Sequence, residues 1–357
     1  MYISQEARSY SWGICPQALA LEKTLKKWRF WIGVVISAGF MWWALRGLKL
    51  SDVWADMRAA NYWWLIPSVT VYFLAVWART WRWDYMLRPL KHIPLRRLFP
   101  VVVIGYMGNN IYPFRAGEVL RSYVLRQRED VSMSASLATV IVERVFDGLV
   151  MLVFVFAALP LAPIPSENIR AIVIAASVAF FGALVVFFAI AAVPQRVLVI
   201  ADWLSARFLP QRFRQPLMDF ATRFMIGLGS LRSFRNVAMI FLSSIVIWLL
   251  ETIKYWFVMH AFDFEVSFFA LMLMNGIVNL ATTLPSAPGY IGTFDGPGIA
   301  VLTLYKVPET IASAYTLVLH AALWLPVTAL GAWYMLREGL GWSDFGQAVG
   351  AVEEGTV

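Results

Sequence analysis

Hydrophobic residues lie in long blocks along this chain, and polar or charged residues occupy the gaps between the blocks. Several blocks reach about 18 residues or more, the length of an α-helix that crosses a bilayer. A membrane β-barrel would instead alternate apolar and polar residues over segments of about ten residues. The pattern predicts an all-α polytopic integral membrane protein with apolar segments at 28–45, 62–83, 98–114, 131–160, 170–193, 237–262, 267–285, 289–304 and 310–336.

Three of these segments, 98–114, 267–285 and 289–304, are short for a spanning helix. A helix rises by about 1.5 Å per residue, so a hydrocarbon core about 30 Å thick requires about 20 residues. Each short segment adjoins a break that contains Pro and Gly, and such interruptions are typical of discontinuous or re-entrant helices. We predict about six to eight spanning helices together with two broken or re-entrant helical hairpins.

Orientation follows from the basic residues, which are concentrated at 23–29, 79–97, 115–128 and 196–235. The positive-inside rule places these stretches in the cytoplasm and the acidic turn at 263–265 outside. Segment 98–114 then lies between two cytoplasmic stretches, so we expect it to enter the membrane and turn back. The rule predicts a multi-pass protein of the cell membrane with a cytoplasmic N-terminus.

The two breaks have related sequences, PFRAG at 113–117 and PSAPG at 285–289. Both read P-x-x-x-G, and an asparagine precedes each of them, at Asn110 and Asn279. The predicted orientation puts the breaks on opposite sides of the membrane, which is the arrangement of an inverted repeat. In such repeats the substrate is bound where the broken elements meet, so we predict the site there.

The same segments predict the domain organisation. Residues 1–24 lack an apolar core and are expected to form a flexible cytoplasmic N-terminus. A single membrane domain is predicted over 25–337, and its region 194–236 contains amphipathic stretches that suit helices lying along the inner membrane surface. Residues 338–357 are expected to form a short C-terminal tail.

Composition agrees with a membrane location and limits the function classes. The chain of 357 residues is 60% hydrophobic and 15% charged, whereas about a quarter of the residues in globular proteins are charged. A net charge of +8 would suggest nucleic-acid binding in a soluble protein. Here membrane orientation and anionic lipid head groups explain the basic residues, so no nucleic-acid partner is expected.

No cofactor is expected from the sequence. Cys15 is the single cysteine, which excludes a disulfide framework and a cysteine-based metal site. The three histidines, His92, His260 and His320, are far apart and lack metal-ligand spacing, so we expect structural roles for them. The sequence contains no G-x-x-x-x-G-K-[ST] motif, so an ATP site of that type is not predicted.

Charged residues beside the first break are candidates for binding an anion. Arg115 precedes a predicted helix whose free N–H groups attract anions, and arginine suits bidentate binding of phosphate. Glu118 and Arg121 follow one turn apart and are expected to pair with each other. The structural alternative is a positive-inside anchor that contains a local ion pair.

Glu143, Arg144 and Asp147 lie within a strongly apolar segment, about 18–24 Å from its start at about 1.5 Å per residue. Charges at that depth cost at least a few kcal/mol each, so they are expected to face protein or water and to pair. In the functional interpretation Arg144 attracts a lipid phosphate while the carboxylates balance its charge or carry protons. In the structural interpretation the three residues form an ion-pair clamp between helices.

The second half of the chain repeats this theme. Glu251 and Lys254 are i, i+3 neighbours in an apolar segment and are expected to pair. Asn275 and Asn279 are expected to form hydrogen bonds across helices, and Asp295 is expected to pair with Arg144 or Arg115. The predicted substrate-binding residues are Asn110, Arg115, Glu118, Arg121, Glu143, Arg144, Asp147, Glu251, Lys254, Asn279, Pro285, Gly289 and Asp295.

Three stretches occur in order at wide spacing: NNIYPFRAGEVLRSYVL, ERVFDGLVML and NLATTLPSAPGYIGTFDG. Together they resemble the lysylphosphatidylglycerol synthase transmembrane-region family, also called flippase-like domain proteins, over roughly 25–337. The resemblance implies a membrane module that moves a lipid with a modified head group across the bilayer. Some members carry a soluble aminoacyl-transfer domain, but the residues after Arg337 are too few for one, so we expect the membrane module alone.

Three functions are open at this point. The first is a transporter of an anionic or glycosylated lipid, and the alternative is an integral membrane transferase acting on a lipid-linked substrate. The third is a scaffold for envelope synthesis in which the charges only hold helices together. We expect a non-enzymatic transporter whose partners are membrane lipids with anionic head groups, with envelope-synthesis enzymes and a second copy of the chain as further candidates.

Overall fold

The computed structural model describes residues 31–44, 46–112, 115–158, 167–208, 210–284 and 286–339. Within these ranges every regular secondary-structure element is an α-helix or a 3₁₀ helix, which confirms the all-α fold. The predicted N-terminal segment 1–24, residues 340–357 of the predicted tail, and the breaking prolines Pro113 and Pro285 lie outside the described residues.

The described helices are α1 Trp31–Ala44, α2 Leu50–Ala59, α3 Leu65–Leu87, α4 Leu95–Ile111, α5 Ala116–Glu129, α6 Met133–Ala158, α7 Glu167–Ala192, α8 Pro194–Phe208, α9 Gln211–Gly227, α10 Phe234–Met259, α11 Phe268–Ala281, α12 Asp295–Leu304 and α13 Glu309–Arg337. Short 3₁₀ turns occur at Tyr62–Trp64, Leu228–Arg232 and Pro288–Tyr290. The predicted segments match these helices to within a few residues, except that α12 begins at Asp295, since the residues before it form the second break.

Two of the described helices, α10 and α13, are long and apolar enough to cross a membrane. The helix α2 and the following helical stretch Tyr62–Leu87 are together long and apolar enough to cross a membrane, but they are bent by 72° where they meet. They count as a third span if this bent pair is one unit. The helices α1 and α11 are apolar but shorter. Large apolar side chains such as Trp63, Val178 and Leu336 point outward, as expected for a protein surrounded by lipid.

The first broken hairpin consists of α4 and α5. They have 17 and 14 residues, which at about 1.5 Å per residue is shorter than a bilayer core of about 30 Å. The chain reverses before α5, where Arg115 adopts a left-handed backbone conformation with φ 54°. The two helices pack against each other in antiparallel order, as the prediction of a hairpin requires.

The second broken hairpin consists of α11 and α12, which have 14 and 10 residues and pack against each other. Between them Gly289, Tyr290 and Gly292 have φ values of 75°, 60° and 81°. Glycine reaches such values without steric cost, whereas tyrosine does not. The second break is therefore a turn of left-handed residues and not a simple kink at a proline.

Helix α3 places two arginines in the interior, contrary to prediction. The sequence placed Arg79 and Arg82 in a basic cytoplasmic stretch, but α3 continues to Leu87 and buries both of them. The prediction is wrong because α6 and α10 supply buried carboxylates that contact both guanidinium groups. Basic residues at the end of an apolar segment indicate a loop only when the protein interior offers them no carboxylate partner.

The predicted amphipathic region forms α8 and α9. These helices contact each other, and α9 also packs against α6. A partly exposed ion pair joins them, because Arg214 donates to Asp202 at 2.8 Å. The helical prediction for this region is confirmed.

Replacing Gly117 by Ala is expected to destabilise the first hairpin. A Cβ atom at this position would overlap the carbonyl oxygen of Gly105 and lie 2.8 Å from Oδ1 of Asn109. Such overpacking costs at least about 1–3 kcal/mol. The thermal unfolding midpoint of the purified protein in detergent should fall clearly. As a control, Gly39→Ala in α1 should leave the midpoint unchanged or raise it, since a Cβ there meets no atom within 4 Å.

Candidate functional site

The two breaks contact each other at the centre of the site. The indole Nε1 of Trp324 in α13 donates to the carbonyl oxygen of Asn110 at the end of α4. A Cβ built on Gly289 would lie 2.9 Å from that same Nε1 and 3.5 Å from the Asn110 oxygen. Arg115, at the first break, contacts the end of α11, where its Nη2 lies 3.5 Å from Oγ1 of Thr282. The predicted meeting of the two broken elements is thus present in the structure.

A cavity of about 150 Å³ lies where the breaks meet. A buried water molecule requires a cavity of about 10–15 Å³, so this cavity has room for several waters or for a group the size of a phosphate. It is lined by Tyr72, Arg79, Tyr106, Asn109, Asn110, Arg115, Arg144, Trp248, Glu251, Lys254, Asn279, Thr282, Gly289, Tyr290, Phe294, His320, Leu323 and Trp324.

A larger pocket of about 390 Å³ lies between α7, α8 and α9. Among the described residues, its lining contains a single charged residue, Arg196, and no carboxylate. Size alone does not make a binding site, because orientation and specificity come from a few convergent polar groups. The smaller cavity between the breaks has such groups.

Ten charged side chains surround the cavity, and we refer to them as the charge cluster. It contains six cations and four carboxylates, namely Arg79, Arg82, Arg115, Arg121, Arg144 and Lys254 with Glu118, Glu143, Asp147 and Glu251. Charges inside a protein are tolerated when they are paired and hydrogen-bonded. The cluster satisfies this condition mainly through contacts between α3, α5, α6 and α10.

Glu143 is the most heavily paired carboxylate of the charge cluster. Its Oε2 accepts from Arg121 at 2.6 Å, and its Oε1 lies 3.1 Å from both Arg82 and Arg144. The side chain is almost fully buried. The helix α6 thereby joins α3 and α5 through one carboxylate.

Asp147 lies one turn further along α6 and binds Arg82 with both oxygens, at 2.6 and 3.3 Å. Its Oδ1 also accepts from the indole of Trp248 in α10, and its Oδ2 lies 3.5 Å from Arg144. The predicted i, i+3 contact between Arg144 and Asp147 is confirmed. Glu143 and Asp147 both face protein and not lipid.

Glu251 and Lys254 form the predicted pair within α10, and Arg79 donates to the other oxygen of Glu251 at 3.1 Å. The Lys254 ammonium also lies 4.4 Å from the ring centre of Tyr72, a distance at which a cation is attracted by the aromatic face. Both residues of this pair line the cavity.

Two pairings differ from the sequence-based prediction. Glu118 and Arg121 do not pair: Arg121 points toward Glu143, while Glu118 lies 3.4 Å from Arg144 and 3.7 Å from Arg115. The reason is that the buried Glu143 offers Arg121 a shorter contact than its own helix does. The prediction of their pairing is therefore wrong.

Asp295 pairs neither with Arg144 nor with Arg115, so that prediction is also wrong. Its Oδ2 accepts from the backbone N–H of Gly292 at 2.9 Å, and its Oδ1 lies 2.8 Å from Nδ1 of His320. The tight turn before α12 folds the carboxylate back onto its own backbone and toward α13. His320 in turn reaches Gly289 and the cavity.

The asparagines connect helices at the edge of the cavity. Asn110 donates to Oγ1 of Thr328 at 2.8 Å and joins α4 to α13. Asn279 donates to Asn275 within α11, and Asn275 donates across to Thr252 of α10. The predicted bond across helices is therefore formed by Asn275 and not by Asn279.

Several donors near the cavity have no hydrogen-bond partner among the described residues. On residues that line the cavity they are the hydroxyl of Tyr106 and the Nε atoms of Arg115 and Arg144, and behind the cavity they are the Nε atoms of Arg82 and Arg121. The Nε of Arg144 is 3.4 Å from Glu118, but the geometry is not that of a hydrogen bond. A buried donor without a partner costs about 1–3 kcal/mol, so a bound anion or water would stabilise this arrangement.

The predicted site residues occupy two layers. Those that line the cavity are Asn110, Arg115, Arg144, Glu251, Lys254, Asn279 and Gly289. Those behind it are Glu118, Arg121, Glu143, Asp147 and Asp295. Sequence reasoning missed Arg79, Arg82, Tyr106, His320 and Trp324. Within the described ranges, no three His, Cys, Asp or Glu side chains are arranged to hold a metal ion.

Comparison with known proteins gives consistent matches across most of the chain. The profile of the family described as "Lysylphosphatidylglycerol synthase TM region" matches residues 30–331. A UPF0104 membrane protein of Methanothermobacter thermautotrophicus is 27% identical over 76% of this chain and 82% of its own length. Glycosyltransferase AglD of Haloferax volcanii is 26% identical over 75% of this chain, which covers 47% of that protein. No solved structure matches with significance.

Proposed function

This chain belongs to the lysylphosphatidylglycerol synthase TM region family, and we propose that it moves an anionic or glycosylated lipid across the bilayer without altering it chemically. The observation that carries the proposal is the cationic cavity between the two breaks. A modified phospholipid and a polyprenyl-phosphate-linked lipid both have a phosphate that suits such a cavity. The family membership makes the membrane the place of action.

The electrostatics of the cavity favour an anionic ligand. The charge cluster has a formal charge of +2. Asp295 adds one carboxylate beside His320, and the sum remains positive whether or not that histidine is protonated. Charges interact more strongly in a protein interior than in water, because the effective dielectric constant is lower. A phosphate entering the cavity would therefore be attracted.

The arginines that face the cavity supply suitable donors. The side chains of Arg115 and Arg144 are 25% and 34% exposed, whereas that of Arg82 is fully buried. The unpartnered Nε atoms of Arg115 and Arg144 would gain acceptors from a phosphate. Arginine suits this role because its planar fork of N–H groups matches the geometry of phosphate oxygens.

The size of the cavity fits a head group and not a whole lipid. About 150 Å³ accommodates a phosphate and part of its substituent, so the acyl or prenyl chains would remain outside among apolar side chains. Polar residues inside a membrane protein commonly mark the pathway of a substrate. We propose that the head group passes between the two hairpins while its chains stay in lipid.

Reconstitution tests this function directly. The purified protein in liposomes is expected to expose fluorescent phosphatidylglycerol of the inner leaflet to an external quencher much faster than protein-free liposomes do. Fluorescent phosphatidylcholine should cross more slowly, since its head group carries no net charge. Equal rates for both lipids would contradict an anion-selective site, and rates equal to those of empty liposomes would contradict transport of these lipids.

A transferase acting on a lipid-linked substrate is the second candidate, and one observation favours it: a relative carries the name glycosyltransferase. The similarity covers 47% of that protein, so more than half of it lies outside the match. Incubating the same liposomes with a radiolabelled polyprenyl-phosphate sugar and an acceptor distinguishes the two functions. Formation of a new labelled product would favour the transferase, whereas movement without a product supports the transporter.

A further inference from the structure

His320 has an unusual pair of hydrogen-bond partners. Its Nδ1 lies 2.8 Å from Oδ1 of Asp295, and its Nε2 lies 2.7 Å from the carbonyl oxygen of Gly289. A backbone carbonyl only accepts hydrogen bonds, and an ionised carboxylate only accepts as well. A neutral imidazole has one N–H group and cannot donate to both.

We infer that Asp295 and His320 form a proton-binding site at the second break, which holds one proton more than a neutral imidazole and an ionised carboxylate do together. The extra proton lies either on the imidazole, which then donates at both nitrogens, or on the carboxyl group, which then donates to Nδ1. Without it, one of the two short contacts would bring two lone pairs together.

The surroundings keep this site apart from bulk water but open to the cavity. The side chain of His320 is 14% exposed and that of Asp295 is 1% exposed. The ring of Phe294 covers the imidazole with the ring centres 4.5 Å apart. Because Gly292 donates to the second oxygen of Asp295, the carboxylate is fixed in its orientation toward the histidine.

Other charged groups face the cavity that His320 lines, and they influence the affinity of the Asp295–His320 site for the proton. They are Arg79 from α3, Arg115 at the first break, Arg144 from α6, and Glu251 and Lys254 from α10. The tyrosines Tyr72, Tyr106 and Tyr290 are the other titratable lining groups. The excess of cations opposes a further positive charge on the imidazole, and the carboxyl group of Asp295 beside it offsets this repulsion.

Proton binding and ligand binding are therefore expected to be coupled. A phosphate in the cavity would offset the repulsion from the arginines and favour the proton on His320. By thermodynamic reciprocity, the proton would favour the phosphate by the same factor. This step rests on the proposed function, whereas the presence of the proton-binding site does not.

The site also bears on the contact between the two breaks. The His320 contact holds the carbonyl of Gly289, and Gly289 lies against Trp324 of α13 and against Asn110 beside the first break. If the proton leaves and the remaining hydrogen stays on Nδ1, the Nε2 lone pair faces the Gly289 oxygen. The second break would then separate from α13, which changes the wall of the cavity.

Nuclear magnetic resonance of the full chain with ¹⁵N-labelled histidine and ¹³C-labelled aspartate tests the proton-binding site. The chain contains three histidines, so their signals are assigned by single replacements. At neutral pH, we expect His320 to have both nitrogens protonated, or Nε2 protonated beside a protonated Asp295. A single proton on either nitrogen of His320 beside an ionised Asp295 would overturn the inference.

Matched controls separate this result from a general effect. In Asp295→Asn the extra proton should be lost, because the carboxamide N–H donates to Nδ1 of a neutral His320. Asp263→Asn, at an exposed position, should leave the His320 signals unchanged. His260, whose Nδ1 lies 2.8 Å from the carbonyl oxygen of Trp256, should give unchanged signals in Asp295→Asn, which also confirms that this variant is folded. A doubly protonated His320 in Asp295→Asn would contradict the assignment of the proton to this pair.

The coupling has its own test, in which short-chain phosphatidylglycerol is the probe. With the lipid present, the protonated His320 signal should persist to a higher pH than without it. If the proton is observed but the lipid has no influence, the coupling is wrong and the proton-binding site stands. If the lipid moves in liposomes while His320 has a single proton beside an ionised Asp295, the inference fails and the proposed function remains.

Discussion

Glu143→Ala is expected to lower the free energy of unfolding by about 3–5 kcal/mol, the range found when one partner of a buried ion pair is removed. The carboxylate contacts Arg121 at 2.6 Å and both Arg82 and Arg144 at 3.1 Å, with 1% of its side chain exposed. Its removal leaves three guanidinium groups close together with one balancing charge fewer, since Arg82 and Arg144 keep Asp147. Arg121 then keeps only the ring of Trp83, 4.8 Å away, among its ionic and aromatic contacts in the described part of the chain.

The measurement is the unfolding midpoint and free energy of the purified protein in mixed micelles titrated with a denaturing detergent. Asp202→Ala is the matched control, because Asp202 also pairs with an arginine at 2.8 Å but its side chain is 46% exposed. Exposed ion pairs contribute about 0–1 kcal/mol, so this variant should unfold nearly like the wild type. Equal effects of the two substitutions would show that burial of the charge cluster does not stabilise the fold.

Glu143→Gln tests the role of charge separately from that of shape. The carboxamide has nearly the same volume and keeps one oxygen that accepts from an arginine. It loses the negative charge, and its NH₂ group faces donors. We expect a loss of stability close to that of the alanine variant, since the uncompensated cations and not a cavity dominate the cost.

The architecture was largely predictable from the sequence, because its signals are local. Apolar blocks of a given length predict helices, and the Pro/Gly motifs beside Asn110 and Asn279 predict where two of them break. The likeness of the two breaks led to the prediction that they meet, and Asn110 and Gly289 do lie together. The burial of Glu143 and Asp147 was predictable because unpaired charges are too costly in an apolar helix.

The partners of the charged residues were not predictable, because they depend on the relative rotation and depth of helices far apart in sequence. Arg82 contacts Asp147, 65 positions later, and Arg79 contacts Glu251, 172 positions later. A rule about basic residues therefore assigned both arginines to a loop. The tryptophans that flank Arg82, at positions 81 and 83, were the available sign of a buried helix.

The role of His320 was missed for a similar reason. Its distance in sequence from the other two histidines suggested a structural residue, and its partners Asp295 and Gly289 are 25 and 31 positions away. Their approach depends on the left-handed turn at Gly289, Tyr290 and Gly292. Sequence alone indicates that a turn occurs there, but it does not indicate which way the carboxylate points.

Arg144→Ala is expected to reduce the rate of anionic lipid movement in liposomes about tenfold to hundredfold. The side chain lines the cavity, is 34% exposed, and has an Nε atom without a hydrogen-bond partner. A hydrogen bond to a charged group is worth about 1.5–3 kcal/mol, and each 1.4 kcal/mol corresponds to about a factor of ten. The carboxylates that contact Arg144 retain other partners, since Glu143 keeps Arg121 and Asp147 keeps Arg82. The fold should therefore persist.

Two further substitutions, one at Arg126 and one at Arg144 itself, show whether the effect is specific to the guanidinium group of Arg144. Arg126→Ala removes the same charge from the exposed face of α5, away from the cavity, and should leave the rate unchanged. Arg144→Lys keeps the charge but loses the planar fork, so an intermediate rate is expected if phosphate is held by two parallel hydrogen bonds. A wild-type rate in Arg144→Ala, with an unchanged unfolding midpoint, would mean that the charge cluster only joins helices. Loss of activity together with a lower midpoint would instead assign Arg144 to the fold, and the phosphate would have to be bound by Arg115.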